Sequence, residues 1–192
     1  MVVGLTGRYC AGKNAVAAVF AQNGFRVIDA DALNHEVLAA KAAEVTAVFG
    51  TGVASPAGGV DRRALGRIVF RDPVARTRLE GILYPAITER IKAMIAASDG
   101  DVLINAPLLQ RAGLHLICAA VVFVRAPALV RLVRAMRRDS LPLKEAWVRI
   151  NAQKDVRPQS IGPGVDTYSV PNLGSVRTLH RRVRRILARL RG

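Results

Sequence analysis

Short apolar runs alternate along the chain with longer stretches in which apolar residues recur every three or four positions. Val2 to Thr6 is the first run and predicts a buried strand. After a loop, Lys13 to Asn23 is Ala/Val-rich and helical in pattern, and Gly24 stands where a C-terminal cap belongs. Phe25 to Ile28 predicts a second strand, which runs into Asp29-Ala30-Asp31. The helical stretch that follows carries Leu33, Val37, Leu38, Val45 and Val48 on its apolar side. Residues 50–60 form a Gly/Ala/Ser/Pro loop, too short for a domain linker. Residues 61–97 are helical in pattern, with breaks predicted at Pro73 and Pro85. Val102 to Asn105, Ala119 to Val124 and Tyr168 to Val170 predict three more strands. Residues 127–155 are helical and basic, with a break near Leu141-Pro142. Strands alternating with helices predict an α/β architecture, a five-stranded, mostly parallel sheet with helices on both faces.

Composition narrows this picture. The 192 residues are 51% hydrophobic and 22% charged, which is the make-up of one globular domain. A chain of this size buries enough surface to fold without a disulfide or metal staple. Two cysteines, Cys10 and Cys118, exclude a disulfide scaffold and fit a reducing compartment. The longest uncharged apolar run, Leu116 to Val124, is about half a membrane span. No basic segment precedes the apolar start, so a secretory signal is not expected. The expectation is a cytoplasmic monomer.

Charge is uneven. Lys+Arg number 29 against 14 Asp+Glu, a net +15. From Arg177 to Gly192 there are seven arginines and no acid, while Leu179, Val183, Ile186, Leu187 and Leu190 fall on one helical face. The favoured reading is a terminal helix, about 175–191, docked on the body with a solvated basic face. Contact with nucleic acid or an acidic membrane is the second reading, and no aromatic residue interleaves the arginines to stack on bases.

The strongest motif is Gly7-Arg8-Tyr9-Cys10-Ala11-Gly12-Lys13-Asn14. It fits G-x-x-x-x-G-K and lies between the first strand and the first helix, as a phosphate-binding loop must. Backbone N–H groups of such a loop make a nest for phosphate oxygens, and the helix N-terminus adds its positive end. Gly7, Cys10, Ala11, Gly12, Lys13, Asn14 and Ala15 are the nucleotide-contacting candidates. Lys13 would reach the β- and γ-phosphates. The residue after the lysine is ordinarily Ser or Thr, whose hydroxyl binds Mg²⁺. Asn14 stands there instead, a candidate Mg²⁺ ligand either through its carbonyl oxygen or through a water. A degenerate, non-catalytic loop is the third possibility. Cys10, beside a helix N-terminus and Lys13, is expected to have a lowered thiol pKa. His35, His115 and His180 are scattered and read as structural or surface residues.

Gly4-Leu5-Thr6-Gly7 through Lys13, followed by Val27-Ile28-Asp29-Ala30-Asp31, resembles the dephospho-coenzyme A kinase family, which reads G-L-T-G-G-I-G-S-G-K-S and then V-I-D-A-D. Asp61-Arg62-Arg63-Ala64-Leu65, Pro107-Leu108-Leu109, Arg134 to Asp139 with Ala152-Gln153, and Val170-Pro171-Asn172 extend the resemblance over nearly the whole chain. The departures are Asn14, Tyr84-Pro85 in place of His-Pro, Arg111 in place of an acid after P-L-L, and Arg8, Tyr9 and Cys10 in a glycine-rich stretch.

The resemblance implies a single three-layer P-loop kinase domain with a helical substrate region near 60–95 and a lid near 138–155. It implies ATP, Mg²⁺ and transfer of the γ-phosphoryl group to the ribose 3′-hydroxyl of dephospho-coenzyme A. Asp31 would be the base, Asp29 being its competitor because spacing alone does not separate them. Each could equally cap the next helix. Arg138 would clamp the transferring group from the lid. Arg62 and Arg63 would meet the diphosphate or ribose, and Tyr84 lies in the same substrate region. Pro107, Leu108 and Leu109 would form an apolar wall, and Pro171 and Asn172 would border the adenine. The rivals are a kinase for another nucleoside or small alcohol, and a basic nucleic-acid-binding protein with a degenerate loop.

Overall fold

The computed structural model describes residues 1–107, 109–153, 156–162 and 164–192. Two compact units make up the chain, Met1–Ile28 with Ala97–Gly192, and Asp29–Ala96.

The first unit is built on a sheet of β1 (Val2–Gly7), β2 (Arg26–Asp29), β3 (Val102–Asn105), β4 (Ala120–Arg125) and β5 (Asp166–Pro171). Their order is β2-β3-β1-β4-β5. β1 runs parallel to both its neighbours, with Leu5 opposite Asn105 on β3 and Val122 on β4, and β4 runs parallel to β5. Flanked on both sides and covered on both faces, β1 has no solvent side, which is why its sequence is a continuous apolar run: Val3 and Leu5 are fully buried. Parallel pairing also brings the C-terminal ends of β1, β3 and β4 to one edge, the edge at which open α/β sheets collect ligands.

Helix α1 (Lys13–Gln22) buries Val16, Val19 and Phe20, and Phe20 meets Phe25 edge-on at 5.0 Å between ring centroids. The basic tail is helix α8 (Val176–Arg191), with Leu179, Val183, Ile186 and Leu187 buried in the same core. Ser175 caps it through Thr178 N–H, and Arg182 donates to the carbonyls of Pro171 and Leu173. The tail is therefore a docked element, as its apolar spacing predicts. Helices α6 (Ala128–Asp139) and α7 (Leu143–Asn151) cover the sheet's loop edge and meet at the break expected near Pro142. No helix among the described residues is long and apolar enough to cross a membrane.

The second unit holds α2 (Ala30–Ala40), α3 (Ala42–Phe49), α4 (Arg62–Arg71) and α5 (Pro73–Ala96), with α2, α3 and α4 all packed on α5. Asp72 accepts from Val74 N–H and Pro73 takes the first helical position, where its missing N–H costs nothing. Two expectations fail here. Helix α5 does not break at Pro85 but runs through it. One missing backbone hydrogen bond is outweighed by the stripe of Leu83, Ile87 and Ile91, all buried along the same 24-residue helix. The stretch after β2 is two helices, not one. The interruption at Lys41 resets the helical phase, so Val48 points outward and is 47% exposed.

Leu187→Ala should lower the free energy of unfolding by about 2–5 kcal/mol, because it empties a core site between sheet and helix. Val176→Ala on the exposed start of the same helix should change it by no more than about 0.5 kcal/mol. Chemical denaturation of the two variants checks the pair.

Candidate active site

The loop from Gly7 to Gly12 joins β1 to α1 and is held from outside. The carbonyl oxygen of Ala11 accepts from Asn172 Nδ2 at 2.8 Å and from Arg134 Nη1 at 3.2 Å. Asn172 sits so close that a β-carbon on residue 12 would lie 2.1 Å from its Nδ2, and Gly12 has φ +94°. Only glycine fits there. The first N–H groups of α1 have no intrahelical partner, so the loop ends on unpaired donors at the positive end of a helix. Lys13 Nζ folds back to donate to the Gly7 carbonyl at 3.2 Å.

Across from the loop stands α6. Lys13 and Asn14 face Arg134, Arg137 and Arg138 around a cavity of about 440 Å³. No carboxylate stands among the described residues that line it. Arg134, half-buried, also donates to the Asn172 carbonyl at 3.2 Å. Arg138 is chelated by its neighbour Asp139, Nε to Oδ1 at 2.8 Å and Nη2 to Oδ2 at 3.0 Å, and lies 5.2 Å over the Tyr9 ring. The Tyr9 hydroxyl donates to the same Asp139. The Arg138 guanidinium and the Tyr9 hydroxyl hold the Asp139 carboxyl down at about 2. Tyr9 N–H donates to Gln153 Oε1 at 2.6 Å, and Arg8 Nε donates to the Val156 carbonyl at 2.8 Å. Residues 8 and 9 thus clasp the segment that follows α7. Behind them Arg131 is buried, and burial pulls its guanidinium pKa down. Its Nε donates to the Ala126 carbonyl, and its Nη1 has no hydrogen-bond partner among the described residues.

In the second unit, Asp29 caps α2, its Oδ1 accepting from Asp31 N–H at 2.9 Å and Ala32 N–H at 3.3 Å. Asp31 is exposed in the first turn, one helical turn before His35. Arg62 Nη2 lies 2.7 Å from His35 Nε2, which joins α4 to α2. Arg63 is exposed on α4 and Tyr84 is half-buried on α5. Asp61 caps α4 through the N–H groups of Arg63 and Ala64, and these two bonds lower its pKa.

A cavity of about 560 Å³ opens beside the loop, walled by Arg8, Ala126, Pro127, Val156, Pro158 and Pro171. Pro171 stands in its wall, whereas Asn172 is buried with its amide committed to the loop. The apolar wall also needs correction. Leu109 is fully buried, with Cδ2 only 2.6 Å from where a β-carbon on Gly4 would sit. It fills the notch that glycine leaves in β1 and offers no surface to a ligand. Pro107 accepts from Thr6 Oγ1 through its carbonyl at 3.1 Å, and Leu108 lies outside the described residues.

A model of the dephospho-CoA kinase family matches residues 1–159. A dephospho-CoA kinase of Anaeromyxobacter dehalogenans is 39% identical over 198 residues, covering 100% of this chain and 92% of its own. The chain belongs to the dephospho-CoA kinase family. A Thermus thermophilus protein of known crystal structure superposes with a TM-score of 0.84 at 30% identity, over 100% of this chain and 98% of that one. The dephospho-CoA kinase of Campylobacter jejuni has the same fold, with a TM-score of 0.69 at 22% identity over 98% and 96%.

In P-loop NTPases generally, a Ser or Thr hydroxyl after the loop lysine and an Asp carboxylate meet Mg²⁺. Here Asn14 follows the lysine, and Asn105 ends β3 beside it. Asn14 Oδ1 already accepts from Asn105 Nδ2 at 3.3 Å, and Asn105 Oδ1 is buried without a partner. No group of three His, Cys, Asp or Glu among the described residues could hold a metal. With two neutral amides and no carboxylate among the described residues that line the cavity, the pair does not fit a resident ion well, and Asn14 Oδ1 already shares itself with Asn105. Cys10 also departs from expectation. Its thiol pKa is raised, not lowered, because burial outweighs the attraction of Arg138 and Lys13. Its side chain is 7% exposed and packs against Leu132, Ala135, Ala146 and Ile150. Asn105, Asp139 and the loop-strapping role of Arg134 lie outside the sequence expectations. Their only linear signal is position, one at the C-terminal end of a strand and two on a basic helix.

Both thiols should resist iodoacetamide at neutral pH, Cys118 the more so because burial pushes it up to about 12. Mass spectrometry should find neither alkylated in the native protein and both alkylated in denaturant. Asp139 has its pKa depressed from 3.8 to about 2, so its contribution to stability is full above 3.8 and is lost as pH falls through 2. The difference in melting temperature between the wild type and Asp139→Asn should hold steady from neutral pH to about 4 and narrow below it.

Proposed function

We propose that this chain transfers the γ-phosphoryl group of ATP to the ribose 3′-hydroxyl of dephospho-coenzyme A, the closing step of coenzyme A synthesis. The single observation that carries the reading is the cationic cavity at the N-terminus of α1, where Lys13 faces Arg134, Arg137 and Arg138. Such a site suits the β- and γ-phosphates of a nucleotide. The loop from Gly7 through Ala15 would cradle those phosphates. The cavity bordered by Pro171 would take the base, with Asn172 acting through the loop.

The 3′-oxygen forms its bond to the γ-phosphorus as the bond to the β–γ bridging oxygen breaks, and ADP leaves. Charge on the transferring group is met by Lys13, released from the Gly7 carbonyl, and by Arg138. Asp31 accepts the hydroxyl proton late in the transfer. The capping duty of Asp29 supports this choice, because Asp29 Oδ1 is already engaged by two backbone N–H groups. Arg62, Arg63 and Tyr84 would bind the acceptor, with His35 steadying Arg62. Mg²⁺ belongs to the same proposal only as a companion of the ATP phosphates. A cytoplasmic monomer completes the reading.

The test is ADP formation from ATP with and without dephospho-coenzyme A, against a panel of other nucleosides and small alcohols. Turnover should require dephospho-coenzyme A. Lys13→Ala should cut it by roughly 10²–10³-fold or more with no loss of melting temperature. Asp31→Asn should lower kcat by roughly 10²-fold while ATP still binds. If Asp29→Asn has that effect and Asp31→Asn does not, the base is Asp29.

A further inference from the structure

After the loop lysine and at the end of the neighbouring strand β3 stand two neutral amides bonded to each other. Asn14 is exposed at the second position of α1. Asn105 ends β3, directly beside Leu5 of β1, and is 6% exposed. Its Nδ2 donates to Asn14 Oδ1 at 3.3 Å across 91 residues of sequence. Its Oδ1 is buried and has no partner among the described residues. In the general pattern the residue at the first place carries a hydroxyl and the strand-end residue a carboxylate, both turned to the ion. Here Asn105 turns an N–H toward Asn14, which repels a cation, and the one oxygen exposed beside it, Asn14 Oδ1, is uncharged and already accepts one hydrogen bond. Turning the Asn105 amide over would set two acceptor oxygens against each other and bury an unpaired N–H₂ instead, so the observed orientation is the favoured one.

We propose that Asn14 and Asn105 form a metal-indifferent crosspiece. It pins the start of α1 to the end of β3 and leaves the nucleotide-free protein without affinity for a divalent cation at this point. The ion reaches the protein only as a complex with the nucleotide phosphates. A carboxylate at either position turns the crosspiece into a cation site, because divalent-ion affinity follows the number of charged oxygen ligands. This rests on the ATP-binding reading only for how the ion arrives; the crosspiece itself is tested without nucleotide.

The experiment is a Mn²⁺ titration followed by the electron paramagnetic resonance signal of the free ion. The readout is the part of Mn²⁺ uptake that Asn105→Ala removes, so ions bound elsewhere cancel. In the nucleotide-free wild type that part should be nil. Asn105→Asp, and Asn14→Asp at the exposed position, where folding is not at risk, should each bind Mn²⁺ at least about tenfold more tightly than the wild type. Asn105-dependent uptake by the wild type would overturn the proposal, since the two oxygens would then turn together to an ion. It would be overturned equally if Asn14→Asp, folded by its thermal melt, gained nothing. Adding ATP separates the two readings. A wild type that takes up neither ATP nor its Mn²⁺ complex refutes the kinase reading, while the nucleotide-free titration still decides the crosspiece.

Discussion

The carbonyl oxygen of Ala11 accepts two hydrogen bonds, and the rest of the site hangs from it. Its donors come from two different elements, Asn172 just past β5 and Arg134 in the middle of α6. A buried asparagine must have its amide satisfied, and this one spends its N–H₂ on the loop while its own N–H donates to the Arg125 carbonyl at 2.7 Å. The close approach leaves no room for a side chain at Gly12, fixes the entry into α1 and so aims its unpaired N–H groups. Because Arg134 is charged, its bond is of the stronger kind, about 1.5–3 kcal/mol. The arginine at 134 thus strengthens the loop and raises the positive potential beside it.

Lys13, Arg131, Arg134, Arg137 and Arg138 crowd the loop edge, and among the described residues Asp139 pairs with one of them, Arg138. Its pairing with Arg138 holds that guanidinium over Tyr9. The Arg138 side chain is 60% exposed, so water screens the pair and the bond is weak. The carboxylate keeps the guanidinium close and oriented, and a pair this weak yields to a more highly charged anion at little cost.

Much of this was legible in the chain itself. The five strands, the docked basic helix and the phosphate loop follow from apolar period and from the glycine–lysine spacing, because those features depend on local geometry. Lys13, singled out by the loop motif, and Arg138, by the family resemblance, line one cavity. What could not be read depends on pairs distant in sequence. Nothing near Asn105 announces that it reaches Asn14, and nothing near Leu109 says that it fills the notch over Gly4. Cys10 misled for the same reason: its neighbours in sequence are a lysine and a helix start, but its neighbours in space are Leu132, Ala135, Ala146 and Ile150. Pro85 misled because propensity is local while the stripe of Leu83, Ile87 and Ile91 is a tertiary demand.

Tyr9 and Cys10 show what the loop has exchanged. Cys10 holds φ at +57°, a left-handed conformation that costs a non-glycine residue about 1–2 kcal/mol. Glycine there would remove the strain but also the side chain that joins α6 and α7 to the loop. Burying a thiol among aliphatic groups offsets a cost of that order, since each buried methylene-sized group contributes about 0.8 kcal/mol. Tyr9 adds the ring beneath Arg138 and the hydroxyl on Asp139. A glycine-rich loop closes on phosphate by its own backbone freedom. This loop is anchored to α6 and α7 by side chains, so the loop and Arg138 are set against each other in advance, and less ordering remains to be done when a ligand binds between them.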